Sequence, residues 1–351
     1  MTFKSFSMYD ILTIGSATRD GFFEGIPFVY LKDKRFITKR GIGLPLGAKI
    51  TVPEVYFLTG GGATNTATTF ARLGFRTLAI FRVARDVSGE TILKEMIEEG
   101  VDINFVQIDY LKPTAYSVIF LTKNGERTIL SYKGCSQNLS SLEIPFNKIK
   151  TQWLFLGSLG KEKNILKKIL FWAKEEKIKI AINPSKNELL WLRKNKKYLS
   201  FFDVFIVNQE EASYLTAIPY QKEKEIFKKL NKLVSGVVVM TRGRKGVVVS
   251  DGKYMYQAPA YSKEKAKDHT GAGDAFSSGF ISVLMKNKKI DEETLKEAIF
   301  FGSLNASSVV QFLGAKKGIL NHFADLKIHP PKFSKRKLGQ AKKFKITKTL
   351  L

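Results

Sequence analysis

Cysteine and histidine are almost missing: Cys135 stands alone, and the three histidines lie at positions 269, 322 and 329. A single cysteine excludes an internal disulfide framework and a multi-cysteine metal centre, and it suits a reducing cytoplasm. Three histidines leave no material for a histidine-rich metal cluster. Acid is scarce as well. The 32 Asp and Glu stand against 58 Lys and Arg, a net charge of +26, so nucleic acid, membrane surface and phosphorylated small molecules all need weighing as partners. No apolar run reaches the roughly 18 to 20 residues of a membrane-spanning helix, because stretches such as Gly236-Val-Val-Val-Met240 are cut short by charge. The first ten residues lack the apolar centre of a signal peptide, so no targeting segment and no membrane partner are expected. What is present is ample: 351 residues, 44% hydrophobic, can bury the core of one large α/β domain or two smaller ones.

Short β-branched runs alternate with stretches of helical period. Strands are predicted at 10–15, 77–84, 153–157, 178–182, 203–207, 236–241 and 246–250, and helices at 63–74, 88–100, 162–177, 221–234, 273–286 and 292–312. This alternation predicts an α/β fold, a central mostly parallel sheet with helices on both faces, over residues 8–330. Ligands then belong at the carboxyl ends of the strands.

Two segments break the pattern. Residues 20–52 are rich in Gly, Phe and Lys, and 113–134 holds Ala115-Tyr-Ser-Val-Ile-Phe-Leu121 and Arg127-Thr-Ile-Leu-Ser-Tyr132 around an Asn124-Gly125 turn, a strong hairpin signal. These predict a small separate β-sheet inserted as a lid at the mouth of the site. A long lid strand can pair with a second copy, which points to a homodimer through the lid. The tail, 331–351, carries eight Lys or Arg and no acid, and its prolines and charge predict a poorly packed extension. Without it the chain still carries +18, so the basic character is general.

The most informative stretch is Asp268-His-Thr-Gly-Ala-Gly-Asp-Ala-Phe276, between a charged loop and a small-residue helix. Gly271 and Gly273 let main-chain N–H groups approach an anion, and the positive end of the helix points at the same place; phosphate is the natural guest. Asp274 can be a plain dipole-compensating carboxylate or a base that takes the proton of an attacking hydroxyl. A helix start should lower its pKa, which phosphoryl transfer tolerates because its transition state is loose and the proton moves late. Neither glycine loop fits G-x-G-x-x-G, since Asn65 and Phe276 occupy the third glycine position, and no G-x-x-x-x-G-K-[ST] occurs. Known RNA-binding signatures are absent, so a non-catalytic nucleotide- or nucleic-acid-binding protein stays as the rival reading of the charge.

The stretch 268–276 resembles the C-terminal signature of the ribokinase-like (PfkB-type) carbohydrate and nucleoside kinases. Gly60-Gly61-Gly62-Ala63-Thr64-Asn65, with Gly74 and Gly89 downstream, is similar to the N-terminal signature. The resemblance runs from about Tyr9 to Leu320 and implies a ribokinase-like fold and an ATP-dependent phosphotransferase. It further implies that Asp274 is the base and that Gly271, Ala272 and Gly273 form an anion hole. Asp20, Gly60, Gly61 and Asn65 would hold the acceptor. Asn183, Asn208, Glu211, Thr241, Gly243, Gly246 and Ser303 or Asn305 would face the nucleotide, with Glu211 reaching Mg²⁺ through water and Asp268, with Gly314, meeting a monovalent cation such as K⁺. Taken singly, Gly60–Gly62 can be an ordinary tight turn, Asn208-Gln-Glu-Glu211 a solvated helix start, and Thr241-Arg-Gly-Arg-Lys-Gly246 a hairpin turn. The acid that contacts sugar at the Trp153-Leu-Phe-Leu-Gly-Ser158 strand end is missing. A sugar and a nucleoside therefore both stay open as acceptor, and the basic residues Arg35, Lys39, Arg40 and Arg127 of the predicted lid keep an already phosphorylated sugar open as well. His269 reads as a loop filler and Cys135 as an unreactive packing residue.

Overall fold

A computed structural model describes residues 8–36, 39–122, 127–261, 266–287, 289–323 and 333–337. Among them, nine strands form the central sheet in the order β17-β16-β15-β14-β13-β12-β11-β1-β6. β1 (Tyr9–Ile14), β6 (Thr77–Ile80), β11 (Thr151–Leu156), β12 (Lys179–Ile182), β13 (Val204–Asn208) and β14 (Val237–Thr241) run parallel. β15 (Val247–Ser250), β16 (Tyr254–Ala258) and β17 (Ser334–Lys337) continue it antiparallel.

Period-2 geometry explains why these runs read as continuous apolar stretches: both faces are covered. Leu12, Phe205, Val207, Val238 and Met240 pack under α3 (Ile165–Glu175), α4 (Lys186–Lys194), α5 (Gln209–Thr216) and α6 (Glu223–Leu233). Their alternates Ile11, Val204, Ile206, Val237 and Val239 pack with α1 (Gly62–Arg72), α7 (Ala272–Lys286) and α8 (Glu292–Val309). A third cluster joins α2 (Val87–Glu98) to Phe81 and Val83. Among the described residues no helix is long and apolar enough to cross a membrane.

The small residues of α7 have a packing reason. A Cβ on Gly279 would lie 3.2 Å from the Cα of Gly302, and one on Gly302 would lie 2.8 Å from Phe276 O. Only glycines let α7 and α8 approach this closely, and that approach sets where the N-terminus of α7 stands.

The lid is a four-stranded sheet, β10-β9-β2-β5. It is built from β2 (Thr18–Glu24), β5 (Glu54–Gly60), β9 (Tyr116–Leu121) and β10 (Arg127–Tyr132). The hairpin β3 (Val29–Lys32) and β4 (Arg40–Gly43) forms a separate ribbon within the first insertion. β9 and β10 pair antiparallel as the alternation predicts; the Asn124-Gly125 turn lies outside the described residues.

The expected strand 77–84 is two strands. β6 joins the main sheet, while β7 (Arg82–Ala84) leaves it to pair with β8 (Gln107–Asp109). Helix α4 falls in a stretch for which no helix was predicted, and α5 begins at the helix start that Asn208-Gln-Glu-Glu211 offered as one reading. The tail departs from expectation at its start: Phe333 packs on the core and β17 pairs with β16, with Lys335 on Glu292 and 4.1 Å above the Tyr254 ring. Aromatic and acidic partners on one sheet edge are enough to hold a basic strand there.

Candidate active site

The two glycine loops, some two hundred residues apart, meet. Asn65 in the first turn of α1 donates from Nδ2 to Asp274 Oδ2 in the first turn of α7, at 2.8 Å. A Cβ on Gly62 would lie 3.8 Å from Asp274 Oδ1, so the start of α1 abuts the carboxylate. Two positive helix ends converge on one point. Asn65 is buried, and its Oδ1 has no hydrogen-bond partner among the described residues. An unpaired buried amide oxygen beside a carboxylate is an open acceptor for a hydroxyl group.

The backbone forces the glycines. Gly61 has φ +105°, and a Cβ there would lie 2.6 Å from the Cα of Ala17. A Cβ on Gly60 would overlap Asp20 Oδ2. Asp20, on β2, is 5% exposed. Burial pushes its carboxyl above the usual aspartate value, while a hydrogen bond from Ser117 and the charge of Lys316 pull the other way.

Asp274 is half-buried as a residue, but its carboxyl end is enclosed, and burial raises its pKa against the opposing bond from Asn65. This corrects the expectation of a lowered value: desolvation between α1 and α7 outweighs the helix-end charge. A raised pKa makes Asp274 a better proton acceptor.

Next to it opens a cavity of about 650 Å³, lined by Thr241, Gly243, Gly246, Ala272, Gly273 and Ser303, six of the expected residues. Gly271 takes φ +77°, and a Cβ there would lie 2.7 Å from the Cα of Ala315; Gly273 has no heavy atom within 4 Å of where its Cβ would be. Among the described residues nothing requires glycine at 273, whereas a side chain there would project into the cavity. Space of this kind beside a helix N-terminus suits an anion in contact with the main chain.

Several expected residues stand elsewhere. Asn305 is fully buried, with Nδ2 on Ala275 O at 2.8 Å and Oδ1 accepting from Leu320 N at 3.0 Å, so it braces α7 instead of facing the cavity. Asn183 lies off the cavity wall, its Nδ2 on Ile206 O at 3.0 Å. Asn208 and Glu211 form a reciprocal capping box at the start of α5, each main-chain N–H bonded to the other's side chain at 2.8 Å. They remain beside the cavity, because Asn208 pairs with Thr241 across the strand ends. Burial raises the Glu211 carboxyl. No group of three acidic or histidine ligands exists among the described residues. One hard carboxylate near phosphate-sized space still fits Mg²⁺, which keeps most of its waters and arrives on phosphate oxygens.

Asp268 does not fit a monovalent cation. Its Oδ1 accepts from Thr270 N (3.0 Å), Thr270 Oγ1 (2.8 Å) and Arg127 Nη1 (2.8 Å), and its Oδ2 from Gly314 N (3.1 Å). Three donors, one of them a guanidinium, crowd Oδ1 and a main-chain N–H takes a lone pair of Oδ2, so the carboxylate is neutralised without a monovalent cation.

Three residues near the site carry no motif. His269 lines the cavity from its loop. Lys316, 5% exposed, donates from Nζ to Thr59 Oγ1 at 2.6 Å and pairs with Glu95 at 3.4 Å behind β5; burial lowers its pKa. Arg127 reaches Asp268 from the lid. The sequence signals two of them, His269 by its place inside the 268–276 stretch and Arg127 as a basic residue of the predicted lid, and gives no sign of Lys316. Cys135 is buried, and its thiol is pushed up to about 11 by burial, which keeps it inert.

Comparison with known proteins bears on the family and on the fold. The profile of pfkB family carbohydrate kinases matches residues 37–321. A ribokinase of Haemophilus influenzae is 27% identical over 278 residues, covering 78% of this chain and 88% of its own length. A cytidine kinase of Thermococcus kodakarensis is 25% identical over 251 residues, covering 71% and 86%. In three dimensions, a ribokinase from Giardia lamblia superposes with a TM-score of 0.74 at 21% identity, over 91% of this chain and 99% of that one. An Arabidopsis thaliana ribokinase complexed with ribose and ATP superposes with a TM-score of 0.70 at 20% identity, over 91% and 97%.

Proposed function

We propose, from the premise that the chain belongs to the pfkB family of carbohydrate kinases and so is a phosphotransferase with an alcohol acceptor, that it transfers the γ-phosphoryl group of ATP to a hydroxymethyl group of a sugar at Asp274. The observation that carries this reading is the Asn65–Asp274 bond, which sets a raised-pKa carboxylate between an open hydroxyl acceptor and a glycine-lined cavity. The acceptor hydroxyl lies against Asn65 Oδ1 and Asp274, with Asp20 and the side-chain-free Gly60 and Gly61 shaping the space for the rest of the sugar. Its oxygen forms a bond to the γ-phosphorus as the bond from that phosphorus to the ADP oxygen breaks, and Asp274 takes the hydroxyl proton late in the step. Main-chain N–H groups at Gly271, Ala272 and Gly273 face the charge in transfer. Thr241, Gly243, Gly246 and Ser303 hold the nucleotide. Glu211 would hold Mg²⁺ near the phosphates, and the bound ion would supply neutralisation of phosphate charge.

The acceptor class follows the H. influenzae ribokinase and a probable fructokinase of A. thaliana, 27% identical over 259 residues. A nucleoside and a phosphorylated sugar are the neighbouring choices, after the cytidine kinase and an ATP-dependent 6-phosphofructokinase of Thermoanaerobacterium thermosaccharolyticum. The lid's two edge strands expose Val55, Tyr56 and Phe57 on one side and Ile129, Leu130 and Tyr132 on the other, and a second copy of the chain is the partner that covers them. A location in the cytoplasm agrees with the buried thiol and with the demand for ATP. ADP release measured over a panel of pentoses, hexoses, their phosphates and nucleosides tests the reading. Release with a sugar supports it; no release with any acceptor, together with salt-sensitive binding of RNA or duplex DNA, replaces it with the binding-protein reading.

A further inference from the structure

The turn that carries the anion hole is held at its root by a residue of the lid. Asp268 stands immediately before that turn, with its side chain fully buried. Three of its four donors, Thr270 N, Thr270 Oγ1 and Gly314 N, are neutral and come from the large domain. The fourth is the guanidinium of Arg127, 141 positions away on the lid edge strand β10. A buried carboxylate needs a counter-charge, and among the described residues Arg127 is the one cation in an ion pair with it. Arg127 is also the least exposed residue of β10, whose remaining five are open to solvent.

The same carboxylate leads mechanically into the site. Thr270 folds back on Asp268, and Gly271, Ala272 and Gly273 follow directly. The opposite wall is the 314–316 loop: Gly314 N–H rests on Asp268 Oδ2, and Ala315 lies where a Cβ on Gly271 would go. Shifting Asp268 therefore shifts the N–H groups that face the phosphoryl group, while the nucleotide's contacts at Thr241 to Gly246 stay on another element.

We propose that Arg127 is a positioning residue that takes the place of a monovalent cation: it neutralises Asp268 and fixes the anion-hole turn, and because it rides on the lid it does so when the lid is closed over the acceptor. The inference rests on the kinase reading above. Transfer is thereby tied to lid closure, so water entering an open site meets an unset anion hole and ATP is spared hydrolysis.

The experiment compares the wild-type chain with Arg127→Ala and Arg127→Lys in potassium chloride and in tetramethylammonium chloride at one ionic strength. Turnover is read with the acceptor found in the screen, and binding of Mg·ADP is read by calorimetry. The expected wild type is indifferent to the exchange of cation. Arg127→Ala loses roughly 10²-fold in kcat, the scale of a displaced catalytic group, with little change in KM for ATP, and potassium or added guanidinium restores part of it. Arg127→Lys keeps the charge without the fork and falls between, again without need of potassium. A wild type that requires potassium overturns the proposal, as does an Ala variant with undiminished turnover, or one that circular dichroism shows folded and that neither cation rescues. Should the Ala variant fail to fold, the Lys variant decides: a potassium requirement there overturns the proposal. A wild type inactive with every acceptor instead sinks the kinase reading, and thermal melts of the Ala variant then decide the Arg127–Asp268 pairing: a melting temperature raised by potassium over tetramethylammonium supports it, and no difference overturns it.

Discussion

Replacing Asp274 by Asn isolates one function of one atom. The amide has the shape of the carboxylate, and its oxygen can still accept from Asn65 Nδ2, so the bridge between α1 and α7 survives. It cannot take a proton. General-base catalysis contributes about 10²- to 10⁴-fold, and at about 1.4 kcal/mol per decade that is roughly 3 to 5 kcal/mol added to the barrier. Asp274 does not line the nucleotide cavity, so Mg·ADP affinity should hold. Stability provides a second, opposite sign. The folded carboxyl titrates above its unfolded value, so this group favours the fold fully below the unfolded pKa and loses that favour as pH rises through the folded one. At neutral pH the Asn variant should therefore melt no lower than wild type, and higher where the removed desolvation outweighs the lost charge-assisted bond from Asn65, with the gain vanishing in acid. Coupled ADP-release kinetics, calorimetry with Mg·ADP and thermal melts at pH 4 and pH 7.5 read all three quantities. A variant that turns over within a few-fold of wild type, or that melts lower at neutral pH with its turnover kept, refutes the assignment of a buried base.

Other perturbations separate the remaining parts. Asn65→Leu removes the bond that lowers the Asp274 pKa, so the acid limb of the kcat–pH profile should move to higher pH, and the acceptor KM should rise by the equivalent of about 1 to 3 kcal/mol. An unmoved limb would show that the two side chains are not coupled. Gly273→Ala meets no protein atom within 4 Å and gains helix propensity, so the melting temperature should hold or rise while Mg·ADP binding weakens; unchanged nucleotide affinity would remove the phosphate from this turn. Lys316→Met takes away a charge that lowers the Asp20 pKa, so acceptor affinity should begin to fall at a higher pH than in wild type, read as KM against pH, whereas a profile identical to wild type would detach Lys316 from the acceptor site.

What could be read along the chain is what local physics decides. The β-branched runs of β12 to β15 and the apolar stripe of α6 declare themselves by period, and Gly271 and Gly273 before a small-residue helix declare an anion site, because conformation and dipole act over a few residues. Even the unpredicted α4 had a local sign, Ser185 and Glu188 at capping-box spacing, before a run only nine residues long. The rest depends on groups that meet only after folding. Whether Asn305 faces nucleotide or braces α7 is settled by Leu320 and Ala275, and the Asp274 pKa by how tightly α1 closes on α7. Whether Asp268 welcomes a cation is settled by Arg127 arriving from 141 positions away, and the charge felt by Asp20 by a lysine buried against Thr59 across 257 positions. Desolvation and counter-charge are properties of an enclosure, and an enclosure exists only when distant segments have packed around it.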